Sequence, residues 1–372
     1  MPTPIAPARP LPRRLLRRAI RLFDLAATPY GVDRYVELVR PSWSSTEVRA
    51  KVVRVERTTP RTVTLTLRPN GNWAGFRAGQ YTELSVEIDG VRHTRCYSMA
   101  NAATGRDGLV ELSITADPEG RVSRHLRDTA SRGQMVGLSR AQGLFTLPDP
   151  EPERMLLVSG GSGITPVMSM LRTRCAMGWT KPVTFLHYAL TERDMLYRDE
   201  IAELARTAPG VRVVRVFTDA PGTGDLDGFL SAAQLEAADP AWAEAEAFVC
   251  GPAPLMESAR GLFGRAGRSD HLHTEAFTLG QFTAEAGTVN GTVRFAASEI
   301  GVSSNGSPLL AQAEAAGLSP LSGCRMGICH TCTRRLCSGV VRDAATGDLT
   351  NGPDVNIRIC VSVPVGDVEI DL

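Results

Sequence analysis

The sequence predicts a multidomain chain: a small antiparallel β-barrel, then an α/β doubly wound parallel sheet, then a small third domain. Three observations carry that prediction. Residues 47–149 hold short segments of period-two alternation separated by glycine-bearing turns. Residues 150–277 alternate short apolar strands with helical stretches. Five of the eight cysteines fall in the last fifty residues, more unevenly than a disulfide framework would place them. A chain of 372 residues also exceeds what one hydrophobic core usually serves.

Residues 1–46 form an extension in which prolines precede a basic helical stretch. Residues 1–23 carry six arginines and no acid, and over residues 12–26 the apolar positions Leu15, Leu16, Ala19, Ile20, Leu22, Phe23 and Ala26 share one arc. Three readings stand: a helix lying on an anionic membrane surface, a helix docked on its own protein, or an organelle transit peptide. Over the whole chain Lys+Arg 41 against Asp+Glu 40 leaves a net +1, which gives no electrostatic case for a nucleic-acid partner. Hydrophobic residues at 43% and charged residues at 22% exclude disorder as the main state. No apolar run approaches the roughly 20 residues of a spanning helix. A secretory signal is also lacking, so a cytoplasmic chain with reduced thiols is expected, with peripheral attachment to the inner face of the membrane as a further option.

In the barrel segment, Thr62–Leu67 and Tyr81–Val86 alternate cleanly, and further strands are expected around Val52–Val55, Thr94–Ser98 and Val110–Thr115. Arg95-Cys96-Tyr97-Ser98 ends one of them. Gly120-Arg121-Val122-Ser123 follows, ahead of a helical stretch Arg124–Thr129. A glycine turn at a helix start presents N–H groups and a hydroxyl to phosphate. The strand arginine completes a clamp for a pyrophosphate, and the Tyr97 ring offers a flat stacking surface.

In the next segment, the strand Met155–Val158 runs into Gly160-Gly161-Ser162-Gly163-Ile164-Thr165-Pro166, with a helix expected from about Pro166. Strand, glycine turn and helix start make a cradle for a dinucleotide pyrophosphate, although Thr165-Pro166 replaces the third glycine of the usual fingerprint. Val183–Leu186, Val211–Phe217 and Ala247–Cys250 read as later strands, and Val249-Cys250-Gly251-Pro252 ends the last of these. Ligands of such sheets bind beyond the carboxyl ends of the strands, which turns Cys250 toward the site; a buried structural cysteine is the equal alternative. Residues 278–288 read as a linker and 289–372 as the third domain.

There, Cys324, Cys329, Cys332 and Cys360 are spaced C-x4-C-x2-C-x27-C, the plant-type 2Fe-2S pattern. Zinc sites usually pair two short Cys-x-x-Cys arms, and only one is present. Gly323 and Gly327 supply the backbone freedom a tight thiolate loop needs. Cys337 is surplus to the four ligands.

Taken in order over roughly residues 50–372, these motifs resemble the ferredoxin–NADP reductase superfamily fused to a C-terminal plant-type 2Fe-2S ferredoxin domain. The resemblance implies an oxidoreductase of electron transport. Its modules would be a flavin-binding barrel (47–149), an NAD(P)-binding domain (150–277) and an α+β β-grasp ferredoxin domain (289–372). It implies FAD, a 2Fe-2S cluster, and NAD(P)H as substrate. Arg95 would hold the flavin phosphate, Tyr97 would pack on the isoalloxazine, and Ser98 would hydrogen-bond flavin N5. Gly120, Val122 and Ser123 would take the pyrophosphate. Gly161, Gly163 and Thr165 would line the dinucleotide site, with Cys250 where the nicotinamide approaches. Glu275 and Phe277 match the acidic and aromatic pair that closes the flavin's other face, so Ser98, Cys250 and Glu275 support hydride transfer.

His330 departs from the small residue usual in the cluster loop, and Asp219 stands where NADP-preferring members tend to carry an arginine, with Arg193 and Arg198 nearby. The extension and Phe185-Leu186-His187-Tyr188-Ala189 are most similar to bacterial reductases that serve membrane acyl-lipid desaturases. The alternatives are a reductase of a Rieske dioxygenase or haem mono-oxygenase, and a non-catalytic flavin/iron–sulfur redox sensor.

Overall fold

The computed structural model describes residues 42–277 and 291–372, apart from positions 106, 119, 324, 326, 328, 329, 345 and 346. The basic helix expected over 12–26, the linker expected over 278–288, and two expected cluster ligands, Cys324 and Cys329, lie outside the described residues.

The first module is an antiparallel sheet of β1 (Val48–Thr59), β2 (Thr62–Pro69), β3 (Tyr81–Ile88), β4 (Val91–Ser98), β5 (Val110–Thr115) and, after helix α1 (Arg121–Thr129), β6 (Met135–Leu138). The order is β4-β3-β6-β1-β2-β5, and a bridge between Met99 and Leu112 brings the two edges together into a barrel. Alternation dictates the packing. Val63, Leu65 and Leu67 of β2 meet Leu112 and Ile114 of β5 in a core that Val122 and Leu126 of α1 close. The strand β6 carries too short and plain a pattern to be read from sequence, and α1 starts at Arg121, three residues before the expected Arg124.

The second module runs β7 (Met155–Gly160), α2 (Ile164–Ala176), β8 (Val183–Ala189), α3 (Arg198–Thr207), β9 (Val211–Phe217), α4 (Ala232–Ala238), β10 (Glu246–Cys250), α5 (Ala253–Arg265) and β11 (Leu272–Glu275). All five strands are parallel, in the order β11-β10-β7-β8-β9. Every residue of β7 and β8 is buried, as strands covered by helices on both faces require. Separate apolar clusters line the two faces. Helix α2 begins at Ile164 rather than Pro166, because residues 161–163 already coil into a helical turn. Pro166 sits third in α2, where its missing N–H costs nothing.

The third module has β12 (Thr292–Phe295), β13 (Ile300–Ser303), α6 (Leu309–Ala315), β14 (Thr333–Asp343), β15 (Leu349–Asn351), β16 (Val355–Arg358) and β17 (Ser362–Ile370). The order is β13-β12-β17-β14-β15, with β16 on β14 and α6 packed over the sheet, which is a β-grasp arrangement. β12 and β17 pair in parallel and the rest antiparallel.

The threonines alternating along β2 do not face water. Thr62 and Thr64 are buried and hydrogen-bond Thr115 at 2.9 Å and Ser113 at 2.6 Å on β5. Across from them the Tyr197 hydroxyl donates to Ser113 Oγ at 2.6 Å. Beside this row Arg172 of α2 donates to Glu111 of β5 at 2.6 Å, to the Ala100 carbonyl at 2.8 Å, and in a fork to both oxygens of Glu200 on α3. Its guanidinium lies 4.7 Å from the centre of the Tyr197 ring. Tyr197 takes a left-handed φ of 56°, which its side chain only tolerates when neighbours hold it. One arginine thus joins barrel and parallel sheet.

Replacing Arg172 by Met keeps the bulk but leaves Glu111 half-buried without its cation. Urea unfolding should register a loss of about 3 kcal/mol. Tyr197→Phe, which removes one hydrogen bond, should cost about 1 kcal/mol.

Candidate active site

The barrel and the parallel sheet enclose two adjoining clefts, of about 470 and about 510 Å³. The first is lined by Arg95, Tyr97 and Ser98 from the end of β4, by Gly120, Val122 and Ser123 at the start of α1, and by Thr165, Glu275 and Phe277. Nine of the expected site residues therefore meet in one cavity. Gly161 and Gly163 line the second cleft with Gly251 and Pro252. Phe277, Thr115 and Ser162 line both.

Local geometry explains the glycines. A Cβ on Gly120 would overlap Ser123 Oγ and stand 2.9 Å from Asp117 Cβ. That loop is tightened by Ser123, whose hydroxyl accepts from the Asp117 N–H at 3.1 Å and donates to the Gly120 carbonyl at 3.3 Å. No acid occupies the first turn of α1, so its N–H groups and the positive end of its dipole are available at the cleft, which Asp117 of the preceding loop also lines. Gly163 is confined differently. Its Cβ would overlap the carbonyl oxygen of Cys250, where β10 passes beneath the turn. Gly161 has open space but a φ of 54°.

Cys250 itself is fully buried and lines neither cleft; its neighbours Gly251 and Pro252 do. In the parallel register it stands between Ser159 and Glu275. Burial first, and then the Glu275 carboxyl, push its thiol pKa well up.

Glu275 is 9% exposed. Burial raises its pKa to about 8, only partly offset by the nearby Ser98 hydroxyl. Among the described residues neither Ser98 Oγ nor Glu275 Oε2 has a partner in hydrogen-bonding geometry. Two orphaned polar atoms on the wall of a cleft fit a polar ligand edge there, and the Tyr97 ring supplies an adjoining flat surface. Arg95, whose pKa is lowered by burial and then by Arg325, supplies one of two cations at this cavity, Arg325 being the other. This set fits a flavin nucleotide.

The cysteine loop fits a cluster. Cys332 and Cys360 are buried, and the Gly327 N–H donates to Cys360 Sγ at 3.1 Å. Gly327 has φ 74°, and a Cβ there would stand 2.7 Å from Val361. Arg358 donates to the Gly327 carbonyl at 2.7 Å and pairs with Asp343. Sulfur-directed N–H groups in a tight loop are what thiolate ligands of an iron–sulfur centre need. Arg325 and His330 also adopt left-handed φ values, 60° and 58°, so the loop bends at three places where glycine alone was expected. His330 is exposed. Cys337 is half-buried on β14, its thiol directed to the Arg335 carbonyl at 3.9 Å.

Sequence reasoning missed Tyr81, Thr115, Asp117 and Arg325 in the first cleft, and Arg61, Leu190 and Phe229 in the second. Thr115 was readable as the end of an alternating strand; the others carry no local signal. Asp219, expected to face the nucleotide, does not line the second cleft, although Thr218 does. Arg198 is engaged with Asp199 and Glu192.

A flavin-type barrel, a dinucleotide-type sheet and a thiolate loop around one pair of clefts define a modular electron-transfer reductase. Comparison with known proteins agrees. Residues 49–147 match the family described as oxidoreductase FAD-binding domain, 157–261 the oxidoreductase NAD-binding domain, and 292–365 the 2Fe-2S iron-sulfur cluster binding domain. An NADPH oxidoreductase of Mycobacterium tuberculosis is 38% identical, over 93% of this chain and 90% of its own. The glycine betaine monooxygenase reductase subunit of Pseudomonas aeruginosa is 31% identical, over 80% and 87%. Among solved structures, phthalate dioxygenase reductase superposes with a TM-score of 0.60 at 25% identity, over 88% of this chain and 98% of that one. The chain belongs to the ferredoxin–NADP reductase superfamily, in the branch that carries a C-terminal plant-type 2Fe-2S ferredoxin domain. It is an NAD(P)H oxidoreductase with FAD-binding, NAD-binding and 2Fe-2S domains.

Two outcomes check the geometry. Glu275 is protonated in the folded, flavin-free chain and ionised in the unfolded chain between pH 4.5 and about 8, so stability should fall as pH rises through that window. Melting curves of Glu275→Gln should lack that fall. Gly163→Ala forces a steric overlap while Gly161→Ala meets only backbone strain of about 1 kcal/mol. Gly163→Ala should therefore lose far more nucleotide affinity and melt lower.

Proposed function

We propose that this chain takes a hydride from NADPH and delivers single electrons to a separate oxygen-activating enzyme, as its reductase component. The observation that carries the reading is the convergence of the three modules. The nucleotide cleft and the flavin cleft share Thr115, Ser162 and Phe277, and Arg325 of the cysteine loop lines the flavin cleft from the other domain.

Bound there, nicotinamide, flavin and 2Fe-2S groups supply the redox chemistry, a two-electron hydride converted into one-electron deliveries. The chain's own residues do the rest. The N–H groups around Gly161 and Gly163 hold the nucleotide diphosphate at the start of α2. The Phe277 ring, on the wall between the clefts, would cover a flavin face. Tyr97 would pack on the isoalloxazine and Ser98 would hydrogen-bond its N5 edge. Glu275 keeps a proton beside Ser98 at neutral pH, and Cys250 backs the nicotinamide position from beneath. Cys324, Cys329, Cys332 and Cys360 hold the cluster. NADPH is favoured over NADH because Asp219 does not line the nucleotide cleft and a relative of 38% identity is an NADPH oxidoreductase.

Reductases of a mono-oxygenase and of a dioxygenase among the similar proteins support an oxygenase as acceptor. The membrane acyl desaturase expected from the N-terminal extension and Phe185–Ala189, and the membrane association expected through residues 12–26, draw no support from them. Among the described residues no helix is long and apolar enough to cross a membrane.

Anaerobic titration of the purified, cluster-loaded protein with NADPH should bleach both flavin and cluster bands, at lower concentration than NADH. Cys360→Ser should keep flavin reduction and ferricyanide turnover but lose cytochrome c reduction by roughly tenfold or more. A bound flavin that neither nucleotide reduces would sink the reductase reading and leave the redox sensor.

A further inference from the structure

We propose that Arg325, inside the cysteine loop, binds the phosphate of the flavin held by the barrel, so that the bound cofactor clamps the ferredoxin domain onto the flavin domain. The inference rests on the flavin reading of the first cleft and goes beyond it, because it gives a residue of the third domain a part in holding the cofactor.

Arg325 and Arg95 line the same cavity although 230 positions apart in sequence. They lie close enough for Arg325 to depress the pKa of Arg95. Two guanidinium groups brought together in a partly desolvated cleft repel, and the arrangement becomes favourable when an anion lies between them. Arg95 pairs with no carboxylate among the described residues; its Nη1 donates to the Thr94 carbonyl at 2.7 Å. Glu314 on α6 accepts from both terminal nitrogens of Arg325, at 2.8 and 2.5 Å. Those three groups sum to one positive charge before the Asp117 carboxyl group on the same cleft wall is counted.

Two further acids line the cleft. Glu275 is held protonated at neutral pH by burial, and Asp117 stands in the loop that leads into α1. The start of α1, with no acid in its first turn, adds a further anion-directed feature.

The Arg325 backbone holds a φ of 60°, uncommon for a residue with a side chain, and its guanidinium rests on Glu314, the carboxylate that a flavin phosphate would compete with. Lys at this position would keep the charge without the fork. A single arginine thereby carries the loop of the cluster ligands to the flavin cleft, and flavin occupancy fixes the distance over which electrons pass.

The test compares FAD with riboflavin, which has the same ring system and no phosphate, by fluorescence quenching on flavin-free, cluster-loaded full-length protein. Arg325→Gln should weaken FAD by roughly tenfold and leave riboflavin unchanged, while Arg325→Lys recovers part of the loss. In the wild type, FAD should raise the temperature at which the visible circular dichroism of the cluster is lost. In Arg325→Gln that rise should vanish.

Equal FAD affinity in wild type and Arg325→Gln, or an equal loss for riboflavin, overturns the clamp and leaves the flavin site standing. A wild type that binds no FAD overturns the flavin site and the clamp with it. Should Arg325→Gln fail to assemble a cluster, Glu314→Gln carries the test. By releasing Arg325 it should tighten FAD about threefold without affecting riboflavin, and unchanged FAD affinity would contradict the proposal.

Discussion

The guanidinium of Arg172 is the contact on which the rest of the arrangement depends. It belongs to the helix that starts at the nucleotide turn, and it reaches Glu111 and a backbone carbonyl of the barrel while Glu200 and Tyr197 hold it from its own domain. Its side chain is 15% exposed and that of Glu111 24%, so this pair is largely withdrawn from water, while the fork to Glu200, 41% exposed, supplies direction. Fixing α2 against β5 fixes where the turn Gly161–Gly163 meets the strand end that carries Thr115. The two clefts adjoin for that reason, and Phe277 can belong to both.

At the carboxyl edge of the parallel sheet, His187, Ser159, Cys250 and Glu275 stand in register on four neighbouring strands. Polar side chains in so apolar a setting cost stability, and each is accommodated differently. His187 accepts or donates at Nδ1 to Ser159 at 2.8 Å and is held neutral, its pKa pushed down to about 4 by burial despite the Ser159 contact. Cys250 remains a thiol. Glu275, last in the row and nearest the cleft, keeps its proton at neutral pH and leaves an oxygen without a partner. His187 Nε2 and Glu275 Oε2 both lack a partner among the described residues, and of the two residues only Glu275 lines the cofactor cleft.

Much of this was legible in the sequence because it rests on local rules. Period-two alternation located β2, β3 and β5, and the glycine turn after Met155–Val158 located the nucleotide cradle. Spacing alone picked out the thiolate loop, in which Gly327 closes on Cys360 as a cluster loop requires. What stayed hidden depends on contacts between modules. Alternation does not say what covers Thr62 and Thr64 of β2, which are buried beside the Ser113–Tyr197 contact to the second domain. Tyr197 and Arg325 adopt left-handed backbone that no pattern announces, and both do so where one module meets another. Cys250 sits at the expected strand end, yet its side chain turns into the core.

The most direct measurement is stopped-flow mixing of the FAD- and cluster-loaded protein with saturating NADPH, following flavin and cluster absorbance separately in wild type and Arg172→Met. If the arginine holds the nucleotide cleft against the flavin cleft, flavin bleaching precedes cluster bleaching. The variant then slows the first phase by roughly tenfold or more and keeps the rate constant of the second. A variant in which flavin reduction is as fast as in the wild type, or in which only the cluster phase slows, would contradict the account.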